Sequence, residues 1–173
     1  MGQTLFLMLG YPGAGKTSTA EIIAKLTGAV LLSSDKMRMD MFATPTFGLD
    51  EHAKLYKALD QKTEDLLRRG KSVIYDANLN RYQHRQDKYD ICNRTGAMPL
   101  LLWIQTPKEL AKVRAAHVSR LHLWPTHEAP HDMFDRIASV IEEPGKNEPY
   151  VPVDGTKVSD DYVANELRKA KLI

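Results

Sequence analysis

Gly10-Tyr11-Pro12-Gly13-Ala14-Gly15-Lys16-Thr17 decides the fold, because it fits G-x-x-x-x-G-K-[ST] in full and stands between an apolar run, Thr4 to Leu9, and a segment of helical period, Lys16 to Leu26. A strand before and a helix after are the context this motif requires. Three glycines let the backbone bend until successive N–H groups face inward, and the following helix adds the positive end of its dipole at the same point. Gly10, Gly13, Ala14, Gly15, Lys16, Thr17 and Ser18 are therefore the expected phosphate-binding residues. Lys16 is expected to reach the β- and γ-phosphates of a nucleoside triphosphate, read as ATP, and the Thr17 hydroxyl to hold a bridging Mg²⁺.

Outward from this loop the chain keeps one rhythm. Short apolar runs at Thr4 to Leu9, Ala29 to Leu32, Ser72 to Tyr75, Met98 to Ile104 and Tyr150 to Val153 alternate with longer helical patterns. Those patterns cover Lys16 to Leu26, Glu51 to Arg69, Arg81 to Arg94, Pro107 to Leu121, Asp132 to Ile141 and Asp160 to Lys171. Near-continuous apolar runs separated by helices predict about five buried parallel strands with helices on both faces, a three-layer α/β P-loop NTPase fold. Gly28, Gly70 and Gly96 each follow a helical stretch, as left-handed caps do. Met39 to Asp50 and Leu121 to His131, each interrupted by proline, read as irregular. A single domain over residues 1–173 is expected, with a helical lid at about 114–135.

Bulk properties narrow the partners. A formal net charge of +2 is too mild to imply nucleic-acid binding through a single-sign field. One cysteine, Cys92, excludes an intramolecular disulfide and a thiolate metal cluster, which fits a reducing, cytoplasmic setting. The N-terminal apolar run has no basic flank and no small-residue cleavage site, so it reads as a strand rather than a signal peptide. No apolar stretch approaches the ~18 to 20 residues needed to span a bilayer, and no membrane association is expected.

Two carboxylates stand at the carboxyl ends of predicted strands, where open α/β sheets bind ligands. Asp76 closes the run Ser72-Val73-Ile74-Tyr75 and is the second expected Mg²⁺ ligand beside Thr17, since Mg²⁺ takes one or two protein groups and completes its shell with phosphates and water. Asp35, in Ser33-Ser34-Asp35-Lys36-Met37-Arg38, is the candidate base for an alcohol acceptor, because transfer to a hydroxyl needs a group that orients it and takes its proton. An N-cap role for Asp35 is the structural alternative. Arg38, one turn on if a helix starts here, could bind an anionic group of the acceptor through its planar fork.

The segments GYPGAGKT, SSDKMR and YDANLNRYQHR, with Arg114 and Arg120 ahead of EEPGKNEPYVPVD, resemble the polynucleotide-kinase-like branch of P-loop kinases. That branch includes 5′-hydroxyl polynucleotide kinases, zeta toxins and chloramphenicol phosphotransferases. The likeness spans nearly the whole chain, although only the phosphate loop is highly specific. It implies Asp35 as general base, Arg38 as a substrate-binding residue, and Arg114 or Arg120 as lid arginines on the transferring phosphates. The family's threonine in D-A-T-N is absent, because Asp76-Ala77 runs directly to Asn78. Along a helix Arg114 and Arg120 would lie about 240° apart, so they face different ways unless the helix ends between them. Arg81 and Arg85, four apart, could line the substrate side, although arginines so placed more often pair with acids or solvent.

Other signals carry less. His127-Glu128-Ala129-Pro130-His131 matches the zinc-protease string H-E-x-x-H, but Pro130 argues against the continuous helix that string needs, and no zinc is expected. Trp103 reads as core and Trp124 as loop packing. Cys92 has no adjacent histidine and reads as structural.

The function expected from these residues is phosphotransfer from ATP to a hydroxyl-bearing acceptor. The acceptor could be a nucleic-acid 5′ end, a nucleotide-like molecule or an antibiotic-type small molecule. A nucleotide-dependent switch or ATPase working with a protein partner is the alternative, and it would not need the aspartate after the second strand.

Overall fold

Alternation along β1 (Thr4–Leu9) organises the molecule. All six of its residues are buried, since successive side chains point to opposite faces and both faces are covered. The computed structural model describes residues 2–118 and 129–171. On one side Leu5, Leu7 and Leu9 join Tyr75, Leu59, Leu67, Ile91 and Cys92. On the other Phe6 and Met8 join Ile74, Leu102, Ile104, Ile23, Val163 and Leu167.

Five parallel strands form one sheet in the order β2-β3-β1-β4-β5, with β2 at Val30–Ser33, β3 at Val73–Asp76, β4 at Met98–Gln105 and β5 at Tyr150–Asp154. The first core belongs to α3 (Leu49–Arg68) and α4 (Tyr82–Thr95), the second to α1 (Lys16–Thr27) and α7 (Asp160–Lys169). Helices α2 (Ser34–Met41), α5 (Lys108–Val118) and α6 (Pro130–Ala138) complete the set described. The expected three-layer α/β architecture is present. Chain direction across the sheet reverses beside β1, so the carboxyl ends of β1, β3 and β4 open the crevice in which such sheets bind ligands.

Several boundaries differ from the sequence reading, among them the start of α3 at Leu49, inside the stretch read as irregular. Met39 to Asp50 is not wholly irregular: α2 runs to Met41, started by the Ser33 hydroxyl, which accepts from the Lys36 N–H at 3.4 Å. Ser33 is therefore the N-cap, and Asp35 lies in the first turn, where a carboxylate favours the helix dipole. Helix α6 starts at Pro130 rather than Asp132, because a first-turn proline has no N–H to lose and its φ is already helical. It ends at Ala138 rather than Ile141. The expected lid includes the end of α5 and most of α6, while Arg120, Trp124, His127 and Glu128 lie outside the described residues.

Buried polar links set the layers. Arg85 is fully buried, with Nε and a terminal nitrogen on the two Glu148 oxygens at 2.6 and 2.8 Å. Its other terminal nitrogen donates to the carbonyls of Leu79 and Asn80 at 3.0 and 3.3 Å. Arg85, read from its i, i+4 spacing as a candidate for the substrate side, is thus a clamp joining α4 to the approach of β5. Lys88, also buried, meets both Asp60 oxygens at 2.5 and 2.6 Å, and the Tyr75 hydroxyl donates to the same carboxylate at 2.7 Å.

Candidate active site

Strand β1 delivers the chain into the phosphate loop, and the loop is held from two sides. Gly13 has φ +75° and packs so closely on α5 that a Cβ there would lie 2.2 Å from the Ala111 carbonyl oxygen and 2.6 Å from the Ala115 nitrogen. The Ala14 carbonyl accepts from the buried Thr106 hydroxyl at 2.8 Å. Gly155, following β5, closes the other side: a Cβ there would stand 2.4 Å from the Ala14 oxygen and 1.9 Å from Thr106 Oγ1. Only a residue without a side chain fits this approach. Helix α1 then starts from Gly15 with no side-chain cap, which leaves its first N–H groups to an anion.

Lys16 Nζ donates to the carbonyls of Gly10 and Tyr11 at 2.9 Å each, folded back over the loop it serves. Burial lowers its pKa, while Asp76 and then Asp35 pull in the opposite direction. The exposed Thr17 hydroxyl donates to Asp76 Oδ2 at 2.8 Å. Asp76 is the last residue of β3 and is itself buried. Burial pushes its carboxyl up, opposed by the Thr17 hydrogen bond and by Lys16. A hydroxyl and a carboxylate so joined beside a phosphate loop suit a hard cation that takes its remaining ligands from phosphates and water. Thr17 and Asp76 are the residues that could hold Mg²⁺.

Asp35, in the first turn of α2, is exposed. Its carboxyl is raised, first by partial desolvation in the folded protein and then by Asp76, against the lowering effects of Arg38 and Lys16. Lys16, Asp76 and Asp35, read separately from three strand ends, therefore share one electrostatic neighbourhood.

The arginines are arranged less simply. Arg38 is buried in an ion pair with Glu51, and its guanidinium lies 4.7 Å from the centre of the Phe47 ring. Glu51 also accepts from the Thr46 N–H, the Thr46 hydroxyl and the Phe47 N–H. Burial alone would raise the Glu51 carboxyl, but the Thr46, Arg38 and Phe47 hydrogen bonds outweigh it and hold it at about 2. Arg38 thus has a protein counter-charge on the side where an anionic acceptor group was expected. Arg114, on α5, donates to the Gly155 carbonyl at 2.9 Å, which sets it against the turn that abuts Ala14.

Sequence reasoning did not single out Glu51, His52 or Tyr56. Tyr56 accepts from the Asn78 N–H at 3.1 Å, burial pushes its phenol up to about 12, and the His52 ring lies 4.3 Å from it. A helical carboxylate and two rings on an amphipathic face look like ordinary surface in one dimension. The Cys92 thiol is buried and pushed up to about 12 by that burial, which suits packing rather than nucleophilic chemistry.

Comparison with known proteins places the chain. Residues 5–144 match the family described as an AAA domain. Cytidylate kinase of Methanocella arvoryzae is 25% identical over 162 residues, covering 90% of this chain and 82% of that protein. The structure of Mycobacterium tuberculosis APS kinase in complex with AMPPNP and APS superposes with a TM-score of 0.70 at 16% identity, covering 98% of each chain. A gluconokinase from Sinorhizobium meliloti gives 0.67 at 17% identity, over 98% of this chain and 93% of that one. The cytidylate kinase match supports the kinase expected from the residues, and the two structures share this chain's fold. The chain belongs to the AAA domain family, and its fold is that of the P-loop kinases.

Proposed function

We propose that the chain transfers the γ-phosphoryl group of ATP to a hydroxyl-bearing acceptor, with Asp35 taking the hydroxyl proton. The observation that carries this reading is the register that sets Ser33 beside Asp76, which brings Asp35, two residues on, to the sheet edge where Thr17 meets Asp76. Lys16, Thr17 and Asp76 are enough to hold a triphosphate with its metal. A further carboxylate at the same edge suits an acceptor that must lose a proton.

In this mechanism the N–H groups of the loop and of the α1 N-terminus bind the phosphates, and Lys16 leaves the Gly10 and Tyr11 carbonyls for their oxygens. Thr17 and Asp76 would hold Mg²⁺, which when bound would neutralise charge on the phosphates. The acceptor oxygen forms a bond to Pγ as the bond from Pγ to the β–γ bridging oxygen breaks. The hydroxyl proton passes to the Asp35 carboxylate, and ADP leaves with the electron pair. Arg114 is placed to stabilise charge on the transferring group once it exchanges the Gly155 carbonyl for phosphate. Arg120 is the second arginine that the sequence offers for this role.

The acceptors named for the three relatives differ among themselves, and the resemblance to polynucleotide kinases and antibiotic phosphotransferases adds a 5′-hydroxyl and a small-molecule alcohol. The test is Mg²⁺-dependent transfer of labelled γ-phosphate from ATP to a panel spanning these classes, with Lys16→Ala and Asp35→Asn as controls. Transfer lost in both variants supports the kinase. ATP binding with only slow hydrolysis, insensitive to Asp35→Asn, would replace it with a nucleotide-dependent switch.

A further inference from the structure

A cavity of about 370 Å³ opens beside the reaction centre, walled by Gly10 and Tyr11, by the end of β4 from Trp103 to Pro107, and by Ile141 and Glu143. It begins where Lys16 ends, since the Gly10 and Tyr11 carbonyls that Lys16 holds belong to this wall. Its far side is fastened in place. The Glu142 N–H donates to the Asn80 carbonyl at 2.7 Å, the Glu142 carboxylate accepts from the Tyr82 N–H at 2.7 Å, and the Asn80 amide reaches the Ile137 carbonyl at 3.4 Å. The segment carrying Ile141 and Glu143 is thereby tied to the loop that follows β3 and Asp76.

Among the described lining residues the charged side chain is Glu143, with the Gln105 amide as a neutral polar neighbour. Phosphate, sulfate or carboxylate at the Glu143 side of this space would face that carboxylate, and the described lining residues offer no cation there to offset the repulsion. Arg38, the cation that the sequence offered for an anionic acceptor, is occupied by Glu51. Asp35 follows β2, whereas the cavity lies over β1 and β4 with β3 intervening. At about 4.8 Å per strand, an acceptor that presents a hydroxyl to Asp35 and reaches the cavity spans on the order of 10 Å.

We infer that this cavity is the subsite for the end of the acceptor remote from its reacting hydroxyl, and that this end is an uncharged or amine-bearing polar group of a molecule about two rings long. The inference rests on the kinase reading above and narrows its acceptor class. Glu143 accepts hydrogen bonds from hydroxyl or ammonium groups there, and Gln105 both donates and accepts.

The test uses the full chain and a set of two-ring acceptors that differ only in one distal group: hydroxyl, amine, carboxylate or phosphate. Steady-state transfer is measured for the native protein, Glu143→Gln, Glu143→Lys and Gln105→Leu, with thermal unfolding to verify that each variant is folded. Native protein is expected to prefer the hydroxyl and amine members. Glu143→Gln is expected to raise KM for the amine member about tenfold, the weight of one charge-assisted hydrogen bond, with kcat and the KM for ATP unchanged. Glu143→Lys is expected to move the preference toward the carboxylate and phosphate members. Native preference for the anionic members, or an acceptor KM indifferent to Glu143→Gln and Gln105→Leu, overturns the subsite while leaving the kinase in place. Absence of transfer to every acceptor, with ATP bound, sinks the kinase reading and this inference with it.

Discussion

Thr17 and Asp76, 59 residues apart in the chain, meet in a 2.8 Å hydrogen bond at the mouth of the phosphate loop. The hydroxyl donates and the carboxylate accepts. The bond only partly offsets the cost of burying Asp76, whose carboxyl remains raised.

Asp76→Asn should therefore make the nucleotide-free protein more stable at neutral pH while removing its response to Mg²⁺·ATP. With its folded-state pKa above the unfolded value, Asp76 opposes folding increasingly as pH rises from the unfolded pKa through the folded one, an effect complete once pH exceeds the folded value. Thermal unfolding with and without Mg²⁺·ATP checks this. A lower Tm in the nucleotide-free variant, or an undiminished shift on adding Mg²⁺·ATP, counts against the assignment.

Asp35 should titrate above an ordinary aspartate, because partial desolvation and then Asp76 both disfavour its charge. A base must be unprotonated to act, so the acid limb of kcat/KM should be displaced upward in pH. Removing the Asp76 charge should bring the Asp35 carboxyl down. Carbon-detected NMR titration of Asp35 in native and Asp76→Asn protein reads this directly, and a carboxyl that stays put or rises would show that the two acids do not share a site.

Gly155→Ala should weaken nucleotide binding more than folding. The added Cβ meets Thr106 Oγ1 and the Ala14 oxygen, so the turn after β5 must retreat and carry the Arg114 anchor with it. Arg114→Ala should preserve that turn and lower kcat by about 10²-fold, as loss of one transition-state donor does. Calorimetric ATP binding beside steady-state kinetics separates the two. Equal effects of both variants on affinity would place Arg114 in ground-state binding alone.

Arg85→Ala should cost about 3–5 kcal/mol, since it strands the buried Glu148 carboxylate without its bidentate partner. Denaturant unfolding measures it. A loss below about 1 kcal/mol, the scale of a surface ion pair, would mean that the clamp is solvated.

Glu51 should be a source of acid sensitivity. Its folded pKa of about 2 lies below the ordinary 4.5, so its contribution is complete above the unfolded value and is lost as pH falls from 4.5 toward 2. Glu51→Gln should lower Tm at pH 7 and flatten the decline of Tm across that window. An unchanged slope would assign the acid sensitivity to other carboxylates, such as Asp154, also held at about 2.

The sequence by itself determined the phosphate loop, the alternating architecture and the strand ends that bear Asp35 and Asp76. These are local facts: a glycine pattern sets backbone conformation, and apolar periodicity tells a buried strand from a helix within a few residues. It offered Asp76 as the partner of Thr17, but their meeting depends on β3 pairing directly with β1, which the fold decides. Only the tertiary structure decided what the long side chains do. Arg38 and Arg85 looked alike as helical arginines after a strand, yet one is held by Glu51 and the other by Glu148, 63 residues away. A guanidinium on a flexible stem takes whichever carboxylate packing brings within reach, and that depends on how helices from distant parts of the chain lie on the sheet. The cavity beside Tyr11 has the same origin, since its walls come from three segments that only folding brings together.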